Sequence, residues 1–379
     1  MMSPVKKMSL ALASLALLWM GVVQTLKTHD DAFREDGLLK ANAASLKGTI
    51  VAPHLEVPVA GEHNVLWCAT FQLAWNEACA LVGEDLHFEG KEPAMVGTLN
   101  RRSFTREHLD KESYVAVAGF VKDDVFGQID RQLRDTFKGR ATPHYIPPKS
   151  LTPRPQDIVA YSYLFKNLEF PVPFERLGKP LMFGTAAVPC FGIGEERKTG
   201  HAQMLEQLLI PDYRTADDFI VELKTKGTRD RLILAKVQPA ATLAETVNAV
   251  LSRVASATPT HPQMYDVLKI PKLNFDITRE YQELLHLKLV VKNPTVARDL
   301  QIVSALQNVR FQLDEEGVRL RSESHISFGC ASPAPPPPAR HVMVFDRPFL
   351  MLLLRRDADV PYFALWVADP EILVKAIKP

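Results

Sequence analysis

The sequence lacks the cysteine pattern of a disulfide scaffold or a zinc site. Only four cysteines occur in 379 residues, at positions 68, 79, 190 and 330, and none stands in a Cys-x-x-Cys pair. Cys68 and Cys79 fall in one predicted helix, about three turns apart, so they cannot bond to each other. We interpret the cysteines as small core residues or free thiols. Cys330, in a predicted exposed loop, is the one to test for reactivity.

The motifs of several common enzyme classes are also missing. Gly192, Gly194 and Lys198 superficially suggest a phosphate loop, but their spacing fits neither the dinucleotide-binding pattern nor the P-loop. No Gly-x-Ser-x-Gly elbow marks a hydrolase nucleophile. The eleven histidines contain no His-Glu-x-x-His pair or other ligand spacing. We therefore predict that the protein is not an enzyme and that it needs no metal or cofactor.

An excess of charge of either sign is absent as well. The chain has 45 Lys and Arg against 44 Asp and Glu, a formal net charge of +1. This balance gives no reason to expect a nucleic acid or an anionic membrane as partner. The length would allow one long domain or two or three smaller ones, and we find no internal repeat.

The N-terminus does carry an apolar run. Two lysines precede residues 8–23, a run that is long for the core of a signal peptide and short for a membrane-spanning helix. No clear small-x-small cleavage site follows. We predict that residues 1–27 direct export, either as a removed signal peptide or as a membrane anchor, and that they are the only membrane contact. Residues 28–61 form a polar lead-in, with a short helix near 38–46.

Hydrophobic periodicity predicts mixed helices and strands in the rest of the chain. Apolar residues spaced by four predict an amphipathic helix over 123–137, and a second helix is predicted over 241–254. The proline-dense connection from Gly139 to Asp157 shows no helical periodicity, so we predict a loop there. The predicted strands cover residues 63–68, 113–121, 158–167, 219–224, 231–237 and 267–277.

The most informative stretch runs from Asn308 to Phe349. Residues 309–313 alternate apolar and polar, as a half-buried strand does. An acidic corner, Asp314-Glu315-Glu316-Gly317, follows, and the alternation then resumes with Val318, Leu320, Ser322 and Ser324 on one side. After Gly329 the chain is rich in Ala and Pro. Because proline has no amide donor, this part cannot pair as a central strand, and we expect an exposed, extended loop.

The order of strand, Glu-Glu-Gly hinge, exposed loop, Phe-x-Arg-Pro-Phe and buried strand resembles the reactive-loop region of the serpin (serine-protease inhibitor) family. The resemblance runs in order from about Asn64 to Asp369. Residues 64–67 resemble the start of the serpin Asn-x-x-x-Ser-Pro segment, with Cys68-Ala69 replacing Ser-Pro. The strand ending at Lys166 resembles the one that ends in a Phe-Lys-Gly turn, with Asn167 in place of the glycine. Residues 267–277 resemble the "Pro-Lys-Phe" strand.

The resemblance implies an α+β, serpin-like domain over residues 62–379. It implies a large central β-sheet, smaller sheets and surrounding helices. The reactive loop then spans about 317–344. The implied hinge residues are Glu315, Glu316, Gly317, Val318, Leu320, Ser322 and Ser324. The implied sheet-opening residues are Asn64, Asn167 and Phe174.

The family mechanism sets what the loop is expected to do. A target protease attacks the loop and forms an acyl-enzyme, and the freed hinge strand inserts into the sheet of a metastable fold. The implied partner is a serine or cysteine protease, and a monomer is expected. Counting on from Gly317 by the family's usual hinge length places the candidate scissile bond near Ala331 and Ser332. The bulky, charged hinge keeps a second hypothesis open, a non-inhibitory binding protein whose hinge strand already lies in the sheet.

Overall fold

The computed structural model describes residues 35–59, 62–138, 154–196, 200–296, 299–319 and 341–375. The helices are α1 (Thr70–Val82), α2 (Ala94–Asn100), α3 (Val125–Phe137), α4 (His201–Glu206) and α5 (Leu243–Ser256). The first nine strands are β1 (Leu39–Asn42), β2 (Thr49–Ala52), β3 (Asn64–Cys68), β4 (Tyr114–Phe120), β5 (Ile158–Leu164), β6 (Asn167–Glu169), β7 (Glu175–Phe183), β8 (Ala186–Ile193) and β9 (Leu208–Thr215). The remaining strands are β10 (Asp218–Leu223), β11 (Asp230–Lys236), β12 (Val267–Pro271), β13 (Leu273–Glu280), β14 (Leu306–Asp314), β15 (Gly317–Arg319), β16 (Val342–Val344), β17 (Phe349–Arg355) and β18 (Phe363–Val367).

The strands form one large sheet and three smaller ones. The seven-stranded sheet has the order β2-β3-β18-β17-β11-β10-β9, and a five-stranded sheet has the order β1-β13-β14-β15-β6. A four-stranded sheet, β16-β12-β8-β7, and a two-stranded sheet, β4-β5, complete the set. Successive residues of β17 and β18 are buried, as expected for strands covered on both faces. The predicted α+β class with a large sheet, smaller sheets and helices is confirmed.

Helix α3 shows how the sequence pattern becomes packing. Its apolar side chains recur every four residues, so they form one stripe along the helix. That stripe packs against β4 in a core of its own, separate from the main one. The Asp124 side chain accepts a hydrogen bond from the Gly127 N–H at 3.3 Å and caps the helix start. The stripe consists of Val125, Ile129, Leu133 and Phe137.

Two predicted elements differ from the structure. Residues 267–277 form two strands in different sheets, β12 and β13, because the chain changes sheet at Lys272, whose N–H donates to the Pro189 carbonyl at 3.0 Å. The helix predicted near 38–46 is strand β1 followed by a single 3₁₀ turn. β1 pairs in parallel with β13 at the edge of the five-stranded sheet. A local pattern could not indicate this long-range pairing.

The cysteines are placed differently from the prediction of one shared helix. Cys68 ends β3, and only Cys79 lies in α1. Both are buried free thiols, as is Cys190, and burial raises the pKa of all three. Cys330, residues 1–34 and most of the predicted 139–157 loop lie outside the described residues. No helix within the described ranges is long and apolar enough to cross a membrane.

Candidate functional site

The first residues of the predicted hinge lie inside the five-stranded sheet. β14 turns back through Glu315 and Glu316 into β15. Val318 lies opposite Leu313 of β14 on one side and opposite Leu168 of β6 on the other. Its side chain is completely buried. The hinge therefore begins as an interior strand that is antiparallel to both neighbours.

Gly317 is required by the close approach of β6. Its φ angle is +152°, and a Cβ atom built on it would stand 2.4 Å from the carbonyl oxygen of Leu168. Every other residue type would push the two strands apart, because only glycine lacks the Cβ. The glycine of the Glu-Glu-Gly pattern is therefore required by the backbone geometry of the sheet.

The acidic corner is fixed by ion pairs and hydrogen bonds to its buried carboxylates. Glu315 is only 3% exposed, and its carboxylate pairs with Lys272 at 2.5 Å and with Arg176. Burial tends to raise the pKa of Glu315, but hydrogen bonds from Lys272 and Arg176 outweigh it and hold the pKa below its ordinary value. Asp314 accepts hydrogen bonds from the Gln312 side chain at 2.8 Å and from the Glu316 N–H at 2.9 Å. The turn between β14 and β15 is therefore fixed by the contacts of both Asp314 and Glu315.

A cleft opens beside β14 beyond the hinge. β5 pairs with β4 on one side, and β14 pairs with β13 along its whole length but with β15 only from Gln312 to Asp314. Among the described strands, none pairs with the facing edges of β5 and residues 306–311. A cavity of about 950 Å³ lies there. Its lining includes residues 158–164 of β5, residues 306–310 of β14 and, from α1, Phe71, Ala74, Trp75 and Ala78.

Two polar side chains in the cleft were not predicted from the sequence. Gln307 is buried and donates from Nε2 to the Cys68 carbonyl at 2.9 Å, while its Oε1 accepts from the Tyr281 hydroxyl at 2.7 Å. It ties β14 to the end of β3. The Ser162 hydroxyl of β5 is buried and has no hydrogen-bond partner among the described residues. The two hydrogen bonds of Gln307 depend on residues distant in sequence, and Ser162 has no partner in the described part of the chain. No local signal in the sequence therefore indicated either side chain.

The three predicted sheet-opening residues fall in different places. Phe174 is buried, and its N–H donates to the Glu315 carbonyl at 2.7 Å, so it touches the hinge turn. Asn167, which stands in place of the family's turn glycine, begins β6 opposite Arg319 and does not have a positive φ angle. Asn64 lies in the seven-stranded sheet, where its Oδ1 accepts from the Ala368 and Asp369 N–H groups at 2.7 and 2.9 Å.

The loop returns to the described chain at His341, next to β16. Asp266 is almost fully buried and accepts from both the His341 N–H and Nδ1, each at 2.8 Å. Lys236, also buried, donates to the Val344 carbonyl at 3.1 Å and pairs with Asp346 at 2.7 Å. Both anchors hold the returning chain. The predicted residues Leu320, Ser322, Ser324, Ala331 and Ser332 lie outside the described residues.

No arrangement for a metal appears in the described part of the chain, where no three or more His, Cys, Asp or Glu side chains are grouped suitably. The buried Glu315 carboxylate pairs with Lys272 and Arg176, and the arrangement positions β15 at one end of the cleft.

Comparisons with known proteins give structural neighbours only. No family model matches the sequence, and no curated protein matches it. Serpin48 of the insect Tenebrio molitor is 15% identical, with a TM-score of 0.45 over 80% of this chain and 91% of that chain. A serpin from Schistosoma mansoni is 14% identical, with a TM-score of 0.46 over 80% and 95%. Thyroxine-binding globulin in complex with thyroxine is 11% identical, with a TM-score of 0.44 over 82% and 94%.

Proposed function

We propose that this chain is a divergent serpin-type protein that inhibits a serine-type endopeptidase by inserting its cleaved loop. The supporting observation is the position of β15. Its three residues are paired on both sides, and directly beyond them the edges of β5 and β14 face each other across the cleft. A strand that continued β15 would be antiparallel to both edges and would supply their missing hydrogen-bond partners.

The register of β15 supports this insertion. If it continues along β14, Leu320 comes to lie opposite Phe311, Ser322 opposite Val309 and Ser324 opposite Gln307. Phe311, Val309 and Gln307 are all buried, so the apolar and small hinge residues would enter the core. Because side chains alternate along a strand, Arg321 and Glu323 would lie on the other face.

The partner we propose is a serine or cysteine protease that attacks the bond between Ala331 and Ser332. The protease nucleophile would form an acyl bond to the Ala331 carbonyl, and the new amino group of Ser332 would leave with a proton. Mass spectrometry after limited proteolysis tests the position of the cut. A cut elsewhere, for example after Arg340, would contradict this assignment of the bond.

The deciding experiment compares intact and loop-cleaved protein. A broad-specificity protease cuts the loop, and thermal unfolding is measured before and after. Insertion would raise the melting temperature by many degrees, since roughly 4–8 °C accompanies each kcal/mol in a small domain and somewhat less in a larger one. A covalent complex with the protease on a denaturing gel would support inhibition directly. An unchanged melting temperature without a complex would refute it.

A second candidate is a non-inhibitory serpin-fold binding protein. The observation that favours it is that Gly317 to Arg319 are in the sheet of the uncleaved chain, so less free energy is left for cleavage to release. The continued register would also place Arg321 opposite Arg310, and like charges on opposite residues destabilise a sheet. This candidate predicts a cleaved protein that melts at the temperature of the intact one.

We also propose that residues 1–27 export the protein and that it acts outside the cytoplasm as a monomer. The support is the apolar run at 8–23 after two lysines. Mass determination of the exported protein would separate the alternatives: loss of about 27 residues indicates a signal peptide, and a full-length, membrane-associated protein indicates an anchor. Full-length protein that stays in the cytoplasm would overturn the proposal.

A further inference from the structure

Strand β6 is too short for its strand pairing alone to fix its position. It has three residues, it forms the edge of the five-stranded sheet, and β15 is its one sheet neighbour among the described strands. A pairing of three residues with a three-residue partner is marginal by itself. Yet β6 defines one side of the hinge. Contacts from outside this sheet must therefore fix β6.

The first outside contact lies just before β6. Lys166 is 5% exposed, and its Nζ donates to both carboxylate oxygens of Asp230, at 2.8 and 3.0 Å, and to Asp110 at 3.3 Å. Asp230 is the first residue of β11 in the seven-stranded sheet and also accepts from the Tyr362 hydroxyl at 3.2 Å. Lys166 thus joins the end of β5 and the start of β6 to the core of the other sheet.

The second contact lies at the last residue of β6. The Glu169 carbonyl accepts a hydrogen bond from the Lys226 N–H at 2.7 Å, and the Glu169 carboxylate pairs with the Lys226 Nζ at 2.7 Å. Lys226 lies in the turn between β10 and β11. Because β11 begins with Asp230, both ends of β6 are attached to the same hairpin of the seven-stranded sheet.

We propose that Lys166 and Glu169 are positioning residues for the hinge: by fixing β6 to the β10–β11 hairpin, they set where β15 enters the sheet. Both residues act through β6 on Val318 and its neighbours. The inference concerns the uncleaved protein and is independent of inhibition. If the inference is correct, disrupting the exposed β10–β11 turn should also destabilise the pairing of the hinge strand.

Hydrogen exchange on the full-length, uncleaved protein tests this. Lys166→Met removes the buried cation, and we expect the amides of residues 167–169 and 317–319 to exchange at least about tenfold faster, which corresponds to about 1.4 kcal/mol of local opening. Lys236→Met is the matched control. It removes an equally buried, ion-paired lysine from the other end of β11, and it should leave the hinge amides unchanged relative to the rest of the sheet.

A pair of surface variants tests the same inference without a risk to folding. Glu169→Gln and Lys226→Gln remove the exposed ion pair, and we expect about a twofold to fivefold faster exchange at 317–319, with the double variant no faster than either single one. If Lys166→Met accelerates exchange equally everywhere, or Lys236→Met loosens the hinge as much, Lys166 is only a general stabiliser and the inference is wrong. Unchanged exchange in all the variants also overturns it.

Discussion

The two ends of the loop are held in different ways. At the N-terminal end, β15 is an interior strand whose next residues would continue between two facing strand edges. At the C-terminal end, β16 is an edge strand that, among the described strands, pairs with β12 alone, and it is anchored by the buried charges of Asp266 and Lys236. If the loop inserts as proposed, β15 keeps its pairings on both sides, whereas the second end must break the hydrogen bonds of the buried Asp266 and Lys236 side chains to leave. A cut in the loop should therefore move only the N-terminal side.

The largest loss of stability is expected from a substitution of Gly317, because the N-terminal end of the loop depends on the close approach of two backbones there. Gly317→Val places a side chain where the Leu168 carbonyl stands, so β15 and β6 must separate. We expect the free energy of unfolding to fall by about 2–4 kcal/mol in urea denaturation.

Gly178→Ala is the control for the Gly317 variant, because a Cβ at Gly178 meets no atom within 4 Å. Its effect should stay within about 0.5 kcal/mol. Equal stability of the Gly317→Val variant and the parent protein would show that β6 does not confine the hinge.

The second largest loss of stability is expected at the C-terminal end of the loop. Asp266→Ala leaves the His341 N–H and the Gln263 N–H without their carboxylate acceptor. We expect a loss of about 2–3 kcal/mol, because two backbone donors at a partly buried site lose their charged acceptor. Hydrogen exchange should rise at residues 342–344 and not at 317–319. Faster exchange at both ends would contradict the independence of the two anchors.

Glu315 should give a smaller, pH-dependent effect. Its pKa is lower in the folded chain than the ordinary 4.5, so its carboxylate contributes stability above that pH, and this contribution is lost as the pH falls through the folded pKa. We expect Glu315→Gln to cost about 1–3 kcal/mol at pH 7. The difference from the parent protein should shrink below about pH 4.

Urea titrations from pH 7 to pH 3 measure this difference for the Glu315 variant. Glu195→Gln is its control, since Glu195 pairs with Lys269 at an exposed site and should contribute less than about 1 kcal/mol. A stability gap between the parent protein and Glu315→Gln that widened in acid would be the opposite of what the buried ion pair implies.

The smallest effect is expected in the cleft itself. Ser162→Ala removes a buried hydroxyl that has no partner among the described residues, so unfolding of the intact protein should change by less than about 0.5 kcal/mol. If the register of β15 continues across to β5, Ser162 meets Ser324 after insertion. The variant should then be less stable than the parent protein only in the cleaved form. A large loss in the intact form would mean that the hydroxyl is already satisfied.

Local pattern predicted the β10–β11 hairpin and helices α3 and α5 close to their observed bounds. The alternation from Val309 to Leu313 and the Glu-Glu-Gly corner led to β14, the turn and β15, and spacing by four led to α3. The partners of buried polar residues could not be predicted. Lys166 meets Asp230 and Asp110, which are 64 and 56 positions away, and no periodicity encodes such pairs. Asn64 was assigned by resemblance to the sheet opening, but its hydrogen bonds lie in the seven-stranded sheet.

The lead-in segment, residues 28–61, covers strand edges in two sheets, and this covering affects the solubility of the protein. β1 covers the outer edge of β13, and β2 covers that of β3, so one short stretch borders two sheets at once. Unpaired strand edges are templates on which other chains add. A chain shortened to begin after residue 59 would uncover both edges together, and such a product should self-associate into oligomers even with its loop intact.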